Sequence, residues 1–161
     1  MATPSPPFTS AGHDHRPCVV EALQVAAGLC ERHGVRLTAL RRRVLELVWR
    51  GHRPRGAYDI LDELSSEGRR AAPPTVYRAL EFLRLHGLIH RIESLNAFIG
   101  CTAPDTPHSG HFMICNRCGD AAEVDDRAIG DALRQSASHS GFIIEQQTIE
   151  LRGLCPACQT P

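Results

Sequence analysis

A chain of 161 residues has room for one or two small domains with a core in each. Lys/Arg and Asp/Glu balance at 18 each, and the seven cysteines lack the dense spacing of a small secreted disulfide scaffold. No apolar run approaches the roughly 20 residues that cross a bilayer, so no membrane partner is expected and the cytoplasm is the expected compartment.

The zero net charge hides an asymmetry. Residues 1–93 hold 14 Arg against 10 Asp/Glu, whereas residues 94–161 hold 4 Arg against 8. A basic first half and an acidic, Cys/His-bearing second half point to a nucleic-acid-binding part joined to a metal-binding part. Every cation is Arg, the better fork-shaped donor for phosphates and guanine edges, although genome composition alone can produce that bias.

Residues 1–17 hold four of the 11 prolines (Pro4, Pro6, Pro7 and Pro17), read as a disordered tail, and lack the apolar segment of a signal peptide. A first helix is predicted from about Val19 to His33, with Val19, Leu23, Ala26, Ala27 and Cys30 on one stripe and Gly34 at its end. Thr38 is the expected N-cap of a second helix, whose stripe is Leu40, Val44, Leu47 and Val48 and whose polar side carries Arg41, Arg42 and Arg43. A third helix spans roughly Ala57 to Ser65, with Leu61 and Leu64 inward. The fourth opens at Pro73-Pro74 and closes at Gly87. At 100° per residue Val76, Ala79, Leu80 and Leu83 form its buried stripe, which sends Arg78 to the opposite side, Thr75 outward and Tyr77 to the flank. Two β-like runs, Ile89–Glu93 and Ala97–Cys101, then make a hairpin, and helices followed by a hairpin make a winged helix.

After a connector at Ala103–Pro107, the second half reads as strand (His111–Cys115), Cys-x-x-Cys turn, strand (Ala121–Val124), helix (Asp126–His139), strand (Phe142–Leu151) and a second Cys-x-x-Cys. The expected class is α+β, with an N-terminal winged helix and a C-terminal α/β part.

The two pairs, Cys115/Cys118 and Cys155/Cys158, can close a tetrahedral thiolate shell around one Zn²⁺. With 36 residues between them, the ion would staple distant parts of a domain. A looser set follows the fourth helix: His90, Cys101, His108 and Glu123 offer two imidazoles, a thiolate and a carboxylate, all good zinc donors. Spacing alone makes this set weak and leaves His111 open as an alternative ligand. Cys30 reads as a small core residue. Cys18 has no assignable role, and His13 and His15, flanking Asp14 in the tail, promise no more than adventitious metal binding.

The run Pro73-Pro74-Thr75-Val76-Tyr77-Arg78-Ala79-Leu80, followed by Gly87-Leu88-Ile89-His90, resembles the DNA-recognition helix of the ferric uptake regulator family. The order His90, Cys101, His108, Cys115/Cys118, Glu123, Cys155/Cys158 is similar to its zinc-responsive branch, the zinc uptake regulators, over roughly residues 18–158. The resemblance implies a tail (1–17), a winged-helix DNA-binding domain (18–101), a connector (102–110) and a metal-binding dimerisation domain (111–161). It implies a cytoplasmic homodimer with two Zn²⁺ per subunit that binds an inverted-repeat operator in double-stranded DNA and represses zinc-uptake genes. Cys115, Cys118, Cys155 and Cys158 match the family's structural site, and His90, Cys101, His108 and Glu123 its sensory site. Arg36, Thr38, Tyr58, Tyr77 and Arg78 match DNA-contacting positions. Arg78 suits a guanine edge, and Thr75 suits a phosphate.

The iron-sensing branch tends to carry a His run before the first Cys pair and a His eight residues before the third Cys. Here the first is only His108-Ser-Gly-His111 and the second position is Gln147. The alternatives are an iron-, manganese- or peroxide-responsive regulator of the same family and, further off, a zinc-dependent hydrolase or deaminase. A catalytic zinc keeps an open position beside three protein ligands, whereas four protein ligands close the shell, so no catalytic residue is expected.

Overall fold

The computed structural model describes residue 8 and residues 13–106, 108 and 110–159. Most of the expected disordered tail lies outside the described residues. Its last two positions are helical: α1 runs Arg16–Arg32 and begins earlier than Val19 because Pro17 fits the first turn, where a missing N–H costs no helical bond. The helices α2 (Ala39–Val48), α3 (Ala57–Ser66) and α4 (Pro73–Leu85) follow as expected. Thr38 caps α2, its side-chain oxygen accepting from the Arg41 amide at 3.3 Å. In α3 the buried pair is Ile60 and Leu64, and Leu61 packs at the edge. The α4 stripe of Val76, Ala79, Leu80 and Leu83 is buried as periodicity requires, and Gly87 leaves the helix with φ +68°. Burial of each large apolar side chain contributes about 1.5–3 kcal/mol.

The hairpin is β2 (Ile89–Ile92) and β3 (Ala97–Gly100), joined through a 3₁₀ turn at Glu93–Leu95 and a left-handed Asn96. A two-residue strand, β1 (Arg55–Gly56), adds to β3, giving an antiparallel sheet ordered β1-β3-β2. Sequence periodicity misses β1 because two residues carry no alternation. Trp49 lies against Gly100 so closely that a Cβ there would sit 2.2 Å from its ring.

The second sheet is ordered β5-β4-β6, with β4 (Gly110–Cys115) antiparallel to β5 (Ala121–Val124) and parallel to β6 (Thr148–Gly153). The helix α5 (Arg127–His139) makes the crossover, capped by Asp126, whose carboxylate accepts from the Ala128 amide at 2.9 Å. The strand expected over 142–151 starts only at Thr148. Thr148 pairs with Gly110, where β4 begins, so earlier residues have no ladder to join. Phe142 and Ile143 are instead 66% and 83% exposed. A single turn, α6 (Pro156–Gln159), carries the last cysteine.

The chain is a winged helix followed by an α/β dimerisation-type sheet. The two halves meet along a seam of apolar and polar contacts. Ile92 and Ile99 of the wing pack on Phe112, Ile114 and Ala121. Glu150 of β6 accepts from the Glu93 amide at 2.7 Å and the Ser94 amide at 3.3 Å. The His52 carbonyl accepts from the Ala121 amide at 2.9 Å, and Arg53 faces Asp120 at 3.6 Å.

Candidate metal centres

Cys115 ends β4, Cys118 lies in the turn before β5, and Cys155 and Cys158 flank the start of α6. Their sulfurs all lie within 4.8 Å of one another. The Cys118–Cys155 separation is 3.8 Å, far beyond a disulfide bond, and all four are free thiols. Thiolates about 2.3 Å from a tetrahedral zinc lie about 3.8 Å apart along each edge, so this spacing fits the ion. The electrostatics agree. Amides of Cys118 and Cys155 point at the Cys115 sulfur and hold its pKa down to about 6. At Cys118 the Asp120 amide favours the thiolate, but burial and the neighbouring sulfurs push it up to about 12. Cys158 is raised by its contact with Cys155 and by burial. Without a cation, one thiolate is tolerated and further ones are resisted, which is the charge pattern that a divalent ion relieves.

The second set is built across both halves. His90 is on β2, Cys101 just after β3, His108 in the connector and Glu123 on β5, and their donor atoms also lie within 4.8 Å of one another. His90 Nε2 is 3.1 Å from His108 Nε2, and Cys101 Sγ is 3.4 Å from His108 Nε2. Glu123 Oε1 is 2.8 Å from His90 Nε2 and 2.7 Å from His108 Nε2. Despite these distances it is buried without a properly directed hydrogen bond.

The surrounding bonds explain why. His108 Nδ1 donates to the Thr106 carbonyl at 2.6 Å, which leaves a lone pair on Nε2 in the neutral ring. The Thr102 amide and hydroxyl both donate to Glu123 Oε2, at 3.1 and 3.0 Å, turning Oε1 inward. The lone pair of His108 Nε2 and the Glu123 Oε1 oxygen thus face a common point, as metal ligands oriented by outer hydrogen bonds do. Burial opposes charge on Glu123, but His90 and the Thr102 amide outweigh it and hold its pKa low. Burial and the Glu123 charge push the Cys101 thiol up to about 12. The donor set fits zinc, with the thiol proton leaving as the ion binds.

His111, left open by spacing, is not in this group. Gln147 Nε2 donates to its Nε2 at 2.7 Å. Gln147 stands where the family's iron branch tends to carry a His, and here it engages the Nε2 lone pair that a metal would otherwise use.

The expected nucleic-acid contacts lie on the outside of the winged helix. Thr75, Tyr77 and Arg78 are exposed on α4, and Tyr58, at the start of α3, is 63% exposed. Tyr77, placed on the flank by helical angle, is 41% exposed. Arg36 is exposed, and its carbonyl accepts from the Arg41 guanidinium at 2.6 Å, which fixes the turn leading to Thr38. Of the three consecutive arginines on α2, Arg43 is tied to Glu46 and Glu67, and Arg41 stacks over Phe82 at 3.6 Å.

The "Ferric uptake regulator family" model matches residues 32–152. The zinc uptake regulation protein of Escherichia coli (strain K12) is 40% identical over 139 residues, covering 86% of this chain and 81% of that protein. A zinc uptake regulator solved with zinc and DNA superposes with a TM-score of 0.83 at 39% identity, covering 88% of this chain and 95% of that one. XcZur supplies a contrast within one relative. Its holo form gives a TM-score of 0.80 (39% identity, 88% and 99% covered), and its apo form 0.51 (40% identity, 88% and 98% covered). With the family model spanning most of its length and a relative this similar across most of both chains, the chain belongs to the ferric uptake regulator family.

Proposed function

We propose that this chain is a zinc-responsive transcriptional regulator that binds operator DNA as a zinc-loaded homodimer and represses zinc-uptake genes. The observation that carries this reading is the convergence of His90, Cys101, His108 and Glu123, two donors from the wing, one from the connector and one from the second sheet. Cys115, Cys118, Cys155 and Cys158 serve as the structural site, giving two ions per subunit. When bound at the second set, Zn²⁺ supplies Lewis-acid bonds to all four donors at once. His90 and Cys101 then hold the wing, and Glu123 holds β5, so the orientation of α4 relative to the second sheet is fixed. In a dimer, two α4 helices so oriented present Arg78 and Tyr77 at one groove spacing, which an inverted repeat mirrors. With the four donors unlinked, the competent orientation is a fraction of the ensemble and apparent affinity falls with that fraction. The holo-like arrangement supports this coupling.

The division into tail (1–17), DNA-binding domain (18–101), connector (102–110) and dimerisation domain (111–161) belongs to the same reading, with Arg16 and Pro17 joining α1. Exposed Phe142, Ile143 and Leu151 in the second half supply apolar surface for the homodimer. A regulator of chromosomal genes works in the cytoplasm, which belongs to the same reading; no described helix is long and apolar enough to cross a membrane.

The sulfur donor at Cys101 and the engaged His111–Gln147 pair favour zinc over the harder-ligand iron or manganese sensors. Four protein donors also leave no open position for a hydrolase or deaminase. The test is a binding titration on a candidate inverted repeat across free zinc concentrations. Tight binding that appears with zinc is expected. Binding that is indifferent to zinc, or that appears only with ferrous iron, overturns the assignment.

A further inference from the structure

The N-terminal arm carries two imidazoles that neither metal set uses, and the fold brings them to a third. Asp14 accepts from the Arg16 amide at 3.0 Å and from its guanidinium at 3.0–3.2 Å, which sets His13 and His15 on either side of a fixed turn at the start of α1. His13 and His15 ring centroids are 5.1 Å apart. His15 and His52 are 4.4 Å apart, and His13 and His52 5.8 Å. His52 is 37 residues beyond His15, in the loop between α2 and β1, so its arrival is a tertiary event. The fourth donor is Cys18, whose Sγ lies 3.0 Å from His13 Nε2.

Two imidazoles bound to one tetrahedral ion, with nitrogens about 2.0–2.1 Å from it, hold their ring centroids about 5 Å apart. The three measured separations bracket that value. Three imidazoles and a thiol are a borderline-soft donor set of the kind that takes zinc. Burial, then His15 and His13, hold the His52 pKa below the ordinary imidazole value despite nearby Asp120. The donor atoms do not all lie within 4.8 Å of one another as those of the two sets above do, so the site requires His13, His15 and Cys18 to turn toward His52 as the ion binds.

We propose that His13, His15, His52 and Cys18 form a third zinc site that clips the N-terminal arm to the seam between the two halves. The seam is adjacent on both sides. The His52 carbonyl is the acceptor for the Ala121 amide, and Cys18 lines a cavity of about 260 Å³ with Trp49, Cys101 and Thr102, beside the second metal set. An ion at this site ties α1 and the α2–β1 loop together beside the cavity that Cys18 shares with Cys101.

The test uses the full chain and zinc alone, with bound zinc counted against a chromogenic chelator and with Co²⁺ as a spectroscopic probe. The parent protein is expected to hold one more ion per chain than the His13→Ala/His15→Ala double variant. His52→Gln and Cys18→Ser are each expected to weaken that extra ion by about tenfold or more, and Cys18→Ser to remove part of the sulfur-to-cobalt charge-transfer band. His13 is exposed and His15 only half-buried, and neither belongs to the apolar core, so the double variant keeps the fold. Equal zinc content and affinity in the parent and the double variant overturns the proposal. So does loss of the ion in the double variant alone, with His52→Gln and Cys18→Ser unaffected, because the arm would then chelate by itself. Neither outcome depends on DNA binding, so failure here is distinct from failure of the regulator assignment.

Discussion

Glu123 Oε1 lies 2.8 Å from His90 Nε2, joining β5 of the second sheet to β2 of the wing, yet no hydrogen bond satisfies that buried oxygen. A buried carboxylate oxygen left without a proton donor costs free energy unless a cation shares the site. The contact crosses the seam between the halves, so under the proposed function it is the joint through which metal occupancy would reach α4.

His90→Ala and Cys101→Ser should each leave the four-cysteine zinc in place and the chain folded, because neither side chain belongs to that shell. Zinc-dependent affinity for the operator should fall about 5- to 150-fold, the range of an ordinary allosteric coupling. Fluorescence anisotropy at fixed free zinc measures this, and wild-type affinity in both variants would remove the set from the mechanism.

Cys115→Ser or Cys155→Ser should cost a zinc equivalent and the stability of the second sheet. Closed thiolate sites contribute their binding energy directly to folding, about 10 kcal/mol or more in small zinc modules. Mass spectrometry under native conditions and thermal melts read the two effects together. A Cys115→Ser protein with full zinc content and an unchanged melting curve contradicts the site.

The pH dependence follows from Cys101. Its thiol is raised to about 12, chiefly by burial and then by Glu123, so at neutral pH zinc must displace a proton. Apparent affinity at this set should therefore drop about tenfold for each unit that pH falls, with one proton released per ion. In the metal-free protein the sign reverses. The folded thiol keeps its proton while the unfolded thiol ionises from about 8.5, so stability is lost as pH rises from there towards about 12. Calorimetry in buffers of different ionisation enthalpy counts the protons, and a pH-independent zinc affinity would contradict the thiolate ligand.

Gly100→Ala places a methyl group 2.2 Å from Trp49 Cε2 and 2.4 Å from its Nε1, one residue before Cys101. Relieving that overlap should cost about 1–3 kcal/mol. It should also shift Cys101, so zinc affinity at the second set falls while the four-cysteine ion stays. Chelator competition on the purified variant separates these, and unchanged stability would mean that Trp49 moves freely.

Arg78→Ala and Thr75→Ala both replace exposed residues of α4 and should leave the core intact. Loss of a guanine contact should cost about 1–3 kcal/mol per half-site and flatten preference at one operator position. Loss of a phosphate contact at Thr75 should weaken specific and unrelated duplex alike. Affinities for the operator, its single-base variants and unrelated DNA at one stated salt concentration distinguish the two. An unchanged ranking of operator variants in Arg78→Ala would remove its base-reading role.

Local patterning is enough for the helices and for the four-cysteine set. Val76, Leu80 and Leu83 repeat at the helical period, Thr38 and Asp126 are capping side chains, and paired Cys-x-x-Cys spacing leaves few chemistries besides metal. The strand expected over 142–147 does not form, because apolar Phe142 and Ile143 look the same in sequence whether they pair in a ladder or cover a partner. Only the length of β4 decides that they do not pair. The two-residue β1 is invisible for a related reason, since Arg55 and Gly56 become a strand only when β3 lies beside them. His90, Cys101, His108 and Glu123 are plausible donors by type, and family resemblance singles them out. Their meeting point, the inward turn of Glu123 by Thr102 and the engagement of His111 by Gln147 all depend on hydrogen bonds between residues distant in the chain. His52 has no local mark at all. It joins His13 and His15 because helix packing folds the α2–β1 loop back to the start of α1, and a one-dimensional pattern carries no record of that distance.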